Sequence, residues 1–261
     1  MKAALRHNLE AQSLAGVVIL AGGLSTRMGS PKALLKLPSG ETLLDYHVRS
    51  AKQLGVTILI ADNGQGFATQ VETANRCINY IDDYQPHSSN PEAANKHSAG
   101  PLGAILAGMQ QLLVNNDSDN GKDNCSEAKS SEVGSKWMLV VSCDSLVNAS
   151  DIWHYLKAQS SATQSVPIPD SLIATAITDE EIVQPQMYGL VDNERDYPLL
   201  ALYQLSLAEP LKAYLDSGER RVMCFISPIS QSIAMPRTWY TLCNLNTPEQ
   251  FQTACQQLTI K

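Results

Sequence analysis

Residues 17–36, VVILAGGLSTRMGSPKALLK, constrain this chain more than any other stretch, because a short apolar run breaks there into a glycine-rich loop carrying Arg27 and Lys32. Val17 to Ala21 reads as a buried parallel strand, apolar on both faces and closed by a turn signal. Gly22, Gly23 and Gly29 let the backbone take positive φ and approach a ligand closely, so that main-chain N–H groups face anionic oxygens. Two cations and three glycines within the eleven residues 22–32 suit phosphate binding better than a plain strand–loop connection. The loop is not a Walker A, since no GK[ST] follows, and GGLSTRMG does not have the GxGxxG spacing of a dinucleotide-binding dehydrogenase.

Composition narrows the class. With 261 residues and 44% hydrophobic content, the chain is expected to form one domain, residues 1–261, around one substantial core. The apolar run Ala15 to Ala21 is too short to span a membrane and lacks a secretory cleavage pattern, so no membrane association and a cytoplasmic location are expected. A net charge of −7 argues against nucleic acid, which calls for a broad basic face. The six cysteines (77, 125, 143, 224, 243 and 255) show no CxxC pair and no zinc spacing, so each is expected to be a small core or surface residue rather than a ligand, with Cys143 packing at a strand end.

Along the chain, strand and helix patterns alternate, which predicts a Rossmann-like three-layer α/β fold: a mostly parallel sheet with helices on both faces. Leu44, Val48, Ala51 and Leu54 recur at helical spacing, and Val56 to Ile60 reads as the next strand. Ile78 to Ile81 reads as a short strand ending in Asp82 and Asp83. Gly100-Pro101-Leu102-Gly103 opens a helix with Ile105, Leu106, Met109 and Leu112 on its apolar side. Trp137 to Val141 is a buried strand ending at Ser142-Cys143-Asp144, followed later by a strand at Leu199 to Tyr203 and a helix at Leu207 to Leu215. Thr247-Pro248-Glu249-Gln250 is a helix start with a capping box, which anchors Asn244 and Asn246 just ahead of it. Residues 84–99 and 115–136 are polar and read as flexible inserts that bury too little surface to offset ordering entropy.

In an open α/β sheet, ligands bind outside the carboxyl ends of the strands, where this reading puts the glycine loop, Asp82, Asp83 and Asp144. Asp144 is the candidate ligand for Mg²⁺, which on a nucleotide takes one or two carboxylates and leaves the rest of its octahedron to phosphates and water. Lys32 and Arg27 are the cations that would face phosphate, Arg27 in bidentate fashion.

Leu20 to Leu35 fits L-A-G-G-x-S-x-R-M-G-x-x-K-x-L-L, and with GPLGAI at 100–105, CD at 143–144, ERDYPLLAL at 194–202, GERRVM at 218–223 and NLNTPE at 244–249 the chain resembles the MobA family of molybdenum cofactor guanylyltransferases. The resemblance implies transfer of GMP from GTP to molybdenum-bearing molybdopterin, with Mg²⁺ required and pyrophosphate released. By the same resemblance Leu20, Ala21, Gly22 and Gly23, with Gly100, belong to the nucleotide site. Asp83 lies near the nucleoside, Lys32 binds phosphate and Asp144 binds Mg²⁺, while Arg195, Arg220, Arg221, Asn244 and Asn246 serve the pterin. It also implies transient contact with molybdoenzymes or their chaperones. Ala-Gly-Gly at 21–23 resembles the guanylyl branch, the related cytidylyltransferases tending to Ala-Ala-Gly, with Gly22 leaving room for a purine. A cytidylyltransferase or another small nucleotidyltransferase acting on a sugar phosphate, or a carrier that binds nucleotide without turnover, are the competing readings. The chain departs from its relatives in having Ser145 to Val147 without a proline after Asp144, Ala61 with Asn63 two residues on where an asparagine ends the second strand, and Tyr197 in place of histidine or glutamine.

Overall fold

Alternation along the central strands builds the molecule. In β1 (Leu14–Leu20), Val17 and Ile19 point into one hydrophobic layer and Val18 into the other, and all three are fully buried. The same division runs through β2 (Thr57–Ala61), where Ile58 and Ile60 oppose Leu59, and through β4 (Trp137–Ser142), where Leu139 and Val141 oppose Met138 and Val140. A sheet apolar on both sides has to be covered on both sides.

The computed structural model describes residues 13–23, 28–72, 78–86, 99–119, 136–163 and 185–259. They form one seven-stranded sheet in the order β3-β2-β1-β4-β6-β5-β7, the remaining strands being β3 (Ile78–Ile81), β5 (Met187–Val191), β6 (Asp196–Gln204) and β7 (Ser230–Ala234). β6 runs antiparallel to β4 and β5, while every other pairing is parallel. The expected mostly parallel sheet is therefore present, with one reversed strand in its middle.

On one face lie α1 (Leu43–Lys52), α3 (Ala149–Thr163), a 3₁₀ turn at Arg237–Leu242 and α6 (Pro248–Thr259). The other carries α2 (Pro101–Asp119), α4 (Ala208–Asp216) and α5 (Val222–Ile226). α2 crosses β1 with Gly108 against the sheet, where a Cβ would lie 2.4 Å from Val18 Cγ2. The helix also runs to Asp119, five residues into the segment read as a polar insert from 115, because the turn holding the buried Leu112 is already in place and the backbone ladder propagates from it. Residues 120–135 and 87–98 of the two inserts lie outside the described residues.

α1 and α6 start as their sequences dictate. Thr42 Oγ1 accepts from the Asp45 backbone N–H at 3.1 Å. At α6 the capping box is closed both ways, Gln250 N–H donating to Thr247 Oγ1 at 3.3 Å and Thr247 N–H to Gln250 Oε1 at 3.1 Å. Among the described residues no helix is long and apolar enough to cross a membrane.

Candidate active site

β1 is flanked by β2 on one side and β4 on the other, so the chain reverses its direction of travel across the sheet at β1, and a crevice opens at the carboxyl ends of these strands. A cleft of about 660 Å³ occupies that position. Its floor is the end of β1 and the glycine turn, Leu20 to Gly23; Ala61 and Asn63 close one side after β2, and Ser142, Cys143 and Asp144 the other after β4. Asp83, Gly100, Pro101 and Ala104 bring in the end of β3 and the first turn of α2, and Lys32 and Asn246 complete the wall. The backbone of the glycine turn is seated between two strand ends, with Ala21 N–H donating to Ala61 O at 2.8 Å and Cys143 N–H to Leu20 O at 3.0 Å.

Lys32 begins a short 3₁₀ turn, Lys32–Leu34. Its ammonium donates to Asn246 Oδ1 at 2.7 Å, and Asn246 Nδ2 donates in turn to Asn244 Oδ1 at 2.7 Å. Asn246 is itself held by the α6 cap, its N–H donating to Gln250 Oε1 at 2.9 Å. Asn244 adopts φ 58°, a left-handed conformation that asparagine tolerates better than most residues. Half-burial pulls the pKa of Lys32 below the ordinary lysine value, while the Asp144 carboxylate across the cleft pulls it back up. Burial raises the pKa of Asp83, and the neighbouring carboxylates of Asp82 and Asp62 push it further. The Cys143 thiol is driven up by burial and by Asp144, which keeps it protonated and excludes it as a thiolate.

The cleft unites Leu20, Ala21, Gly22, Gly23, Lys32, Asp83, Gly100 and Asp144, all of them expected from sequence to serve the nucleotide. Lys32 and Asp144 thus open onto one space. Arg27 lies outside the described residues. Of the residues expected on the pterin side, Asn246 lines the cleft and the others do not. Arg195 contacts Glu194 in an exposed turn at 3.4 Å, and Arg220 donates to Leu215 O at the end of α4 at 2.6 Å. Sequence reasoning missed Met28, Pro101, Ala104, Ser142 and Leu199 as wall residues; Leu199 reaches the cleft because β6 runs in reverse and starts at this end.

The chain matches the profile of the MobA-like NTP transferase domain over residues 17–229. It belongs to the MobA-like NTP transferase family. As a MobA-like protein it is a nucleotidyltransferase. It is 26% identical over 248 residues to a molybdenum cofactor guanylyltransferase of Shewanella baltica (strain OS155), covering 93% of this chain and 96% of that one. It is 27% identical over 238 residues to the enzyme of that name from Serratia proteamaculans (strain 568), covering 89% of each. Its fold is similar to that of molybdopterin-guanine dinucleotide biosynthesis protein A from Archaeoglobus fulgidus, with a TM-score of 0.56, 13% identity and coverage of 94% of this chain and 100% of that one.

Proposed function

We propose that this MobA-like protein transfers GMP from GTP to molybdenum-bearing molybdopterin, giving the guanine dinucleotide form of the cofactor and pyrophosphate. The observation that carries this reading is the single cleft shared by the glycine turn, Lys32 and Asp144. The guanylyltransferase names of relatives aligned over most of the chain support this choice of substrates. Leu20, Ala21 and Gly22 hold the base through their backbone, Asp83 and Gly100 border the nucleoside, and Gly23 and Lys32 meet the triphosphate. An oxygen of the pterin's terminal phosphate attacks the α-phosphorus in line; the bond to the α–β bridging oxygen breaks, and its electron pair departs with pyrophosphate. No protein nucleophile takes part, so the chain acts by positioning and by charge.

Lys32 stabilises the negative charge that moves onto the leaving pyrophosphate, with Arg27 adding a second cation to the same loop. Asn246 keeps the Lys32 ammonium on the cleft wall. Asn244 and Asn246 border the pterin, and Arg195, Arg220 and Arg221 are its outer contacts. The donor set fits Mg²⁺. Among the described residues no three His, Cys, Asp or Glu side chains gather as a protein-built metal cage, and the thiol beside Asp144 is protonated. What remains is a hard carboxylate oxygen facing a phosphate site, the arrangement magnesium accepts on a nucleotide. Asp144 would hold the ion, which when bound supplies electrostatic stabilisation to the phosphate oxygens. A cytoplasmic location and transient contact with molybdoenzymes or their chaperones belong to the same reading.

Pyrophosphate release with GTP or CTP, with and without molybdopterin, tests the proposal. Release is expected with GTP and pterin together, and Lys32→Ala is expected to lower turnover by about 10²–10³-fold, the scale of losing one preorganised charge-stabilising group. Wild-type turnover in that variant refutes the role of Lys32. Release with CTP in place of GTP makes the protein a cytidylyltransferase, and GTP binding with no release from either nucleotide makes it a carrier.

A further inference from the structure

Asp144 lies beyond the end of its own strand. β4 stops at Ser142, and residues 143–148 form an irregular connection to α3 with no proline to stiffen the backbone after the aspartate. The connection is nevertheless held at three successive carbonyls. Leu245 N–H donates to Asp144 O at 2.7 Å, His47 Nε2 bonds Ser145 O at 2.8 Å, and the Tyr46 hydroxyl donates to Leu146 O at 2.8 Å. Two of these donors are adjacent side chains on α1, about a hundred residues away in sequence.

The chemistry of His47 is fixed by its surroundings. A carbonyl only accepts, so Nε2 carries the ring proton and is the donor. The side chain is fully buried, and burial draws its pKa down to about 4 against the opposing pull of the Ser145 carbonyl, which leaves the ring neutral. Nδ1 finds no hydrogen-bond partner among the described residues. An unmatched buried polar atom costs stability, and a leucine would occupy much of the same space without an orphaned Nδ1, at the expense of the bond to the Ser145 carbonyl. The imidazole is therefore explained by its one N–H, and that N–H is spent on the residue after Asp144. Tyr46 stands edge-on to the ring, 5.4 Å between centroids, so each side chain limits the other's movement.

We propose that Tyr46 and His47 are positioning residues that lock the backbone at Ser145 and Leu146 and thereby hold the Asp144 carboxylate toward the cleft, ready for a divalent cation carried by the nucleotide. This rests on Asp144 as the ligand of that cation. Partners of this kind, which orient a metal ligand without touching the metal, typically account for 10–100-fold in affinity or activity.

The test is a Mn²⁺ titration followed by electron paramagnetic resonance in the presence of GTP, without pterin and hence without turnover, alongside melting temperatures. Tyr46→Phe, which loses only an oxygen and a proton, is expected to melt close to the wild type and to bind Mn²⁺ about 10-fold more weakly. His47→Leu, which removes the unmatched Nδ1 but leaves the Ser145 carbonyl without its donor, is expected to melt close to the wild type and to lose about 10–100-fold in Mn²⁺ affinity, and His47→Gln, with an N–H near the place of Nε2, to recover most of it. Wild-type Mn²⁺ affinity in folded Tyr46→Phe and His47→Leu overturns the proposal; should His47→Leu not fold, the other two variants decide it. Asp144→Asn separates the two levels. If it binds Mn²⁺ as the wild type does, the ligand assignment falls and the positioning role falls with it. A wild type that releases no pyrophosphate overturns the transfer reading alone, because the titration needs no turnover.

Discussion

Gly22 shows how a residue's purpose changes once its neighbours are known. From sequence, its missing methyl makes room for a purine. A Cβ at 22 would instead lie 2.7 Å from Asn63 Cβ, 2.9 Å from the Asp62 carbonyl carbon and 3.0 Å from the Asn63 nitrogen. Those atoms belong to the turn after β2, where Asn63 takes φ 55° and the Asp62 carboxylate accepts from Gly64 N–H at 3.0 Å and Phe67 N–H at 2.9 Å. Backbone pinned in this way cannot swing aside. Gly22→Ala is accordingly expected to destabilise the protein by about 1–3 kcal/mol and to weaken GTP and CTP together in calorimetric titrations; a switch of preference toward CTP would contradict this account. Asp83 and Asp144 were legible because each closes a strand pattern at its carboxyl end, whereas Lys32 was read from the glycine-rich loop and Gly100 from the resemblance carried by GPLGAI. The Lys32–Asn246 bond was not, since it joins residues 214 apart and pattern along the chain carries no information about such pairs.

Elements were legible in proportion to their burial. β1, β2 and β4 are almost wholly buried and appear in sequence as unbroken apolar runs, and α1 shows its periodicity in Leu44, Val48 and Ala51. β7, SQSIA, escaped because it is an edge strand with Ile233 as its one buried residue, so apolar alternation is absent. β5, MYGLV, is interrupted by Gly189 where its register with β6 shifts. The short α5 is barely more than one turn, and the apolar face of α3, Ala149, Ile152, Trp153 and Leu156, gives way to polar residues after two turns. α2 depends on close approach to the sheet, and Gly108 is the point of contact. Its added Cβ would meet Val18 Cγ2 at 2.4 Å and Met138 Sδ at 3.2 Å, the first a branched side chain locked in the central strand. Gly108→Ala should lower unfolding free energy in urea by about 1–3 kcal/mol despite alanine's better helix propensity. An unchanged or raised stability would show that α2 has slack against β1.

At the scale of the whole molecule, the topology and the site are one fact. Placing β1 between β2 and β4 opens the crevice at its carboxyl end, and reversing β6 brings the start of that strand, with Leu199, to the same edge. The loop pinned by the cap of α6 then reaches the cleft, where Asn246 meets Lys32. The sequence reveals this layered plan through alternation and motif, while the closure by α6 and the anchoring of the Asp144 connection by α1 depend on contacts between distant segments. A crystal structure with a non-hydrolysable GTP analogue and Mg²⁺ tests the central claim most directly. The account predicts the base against the backbone of Leu20 to Gly22 and the triphosphate at Gly23, with the Lys32 ammonium on its oxygens and the Asp144 carboxylate facing the ion they carry; a triphosphate seated elsewhere, or bound here with Lys32 and Asp144 both out of reach, contradicts it.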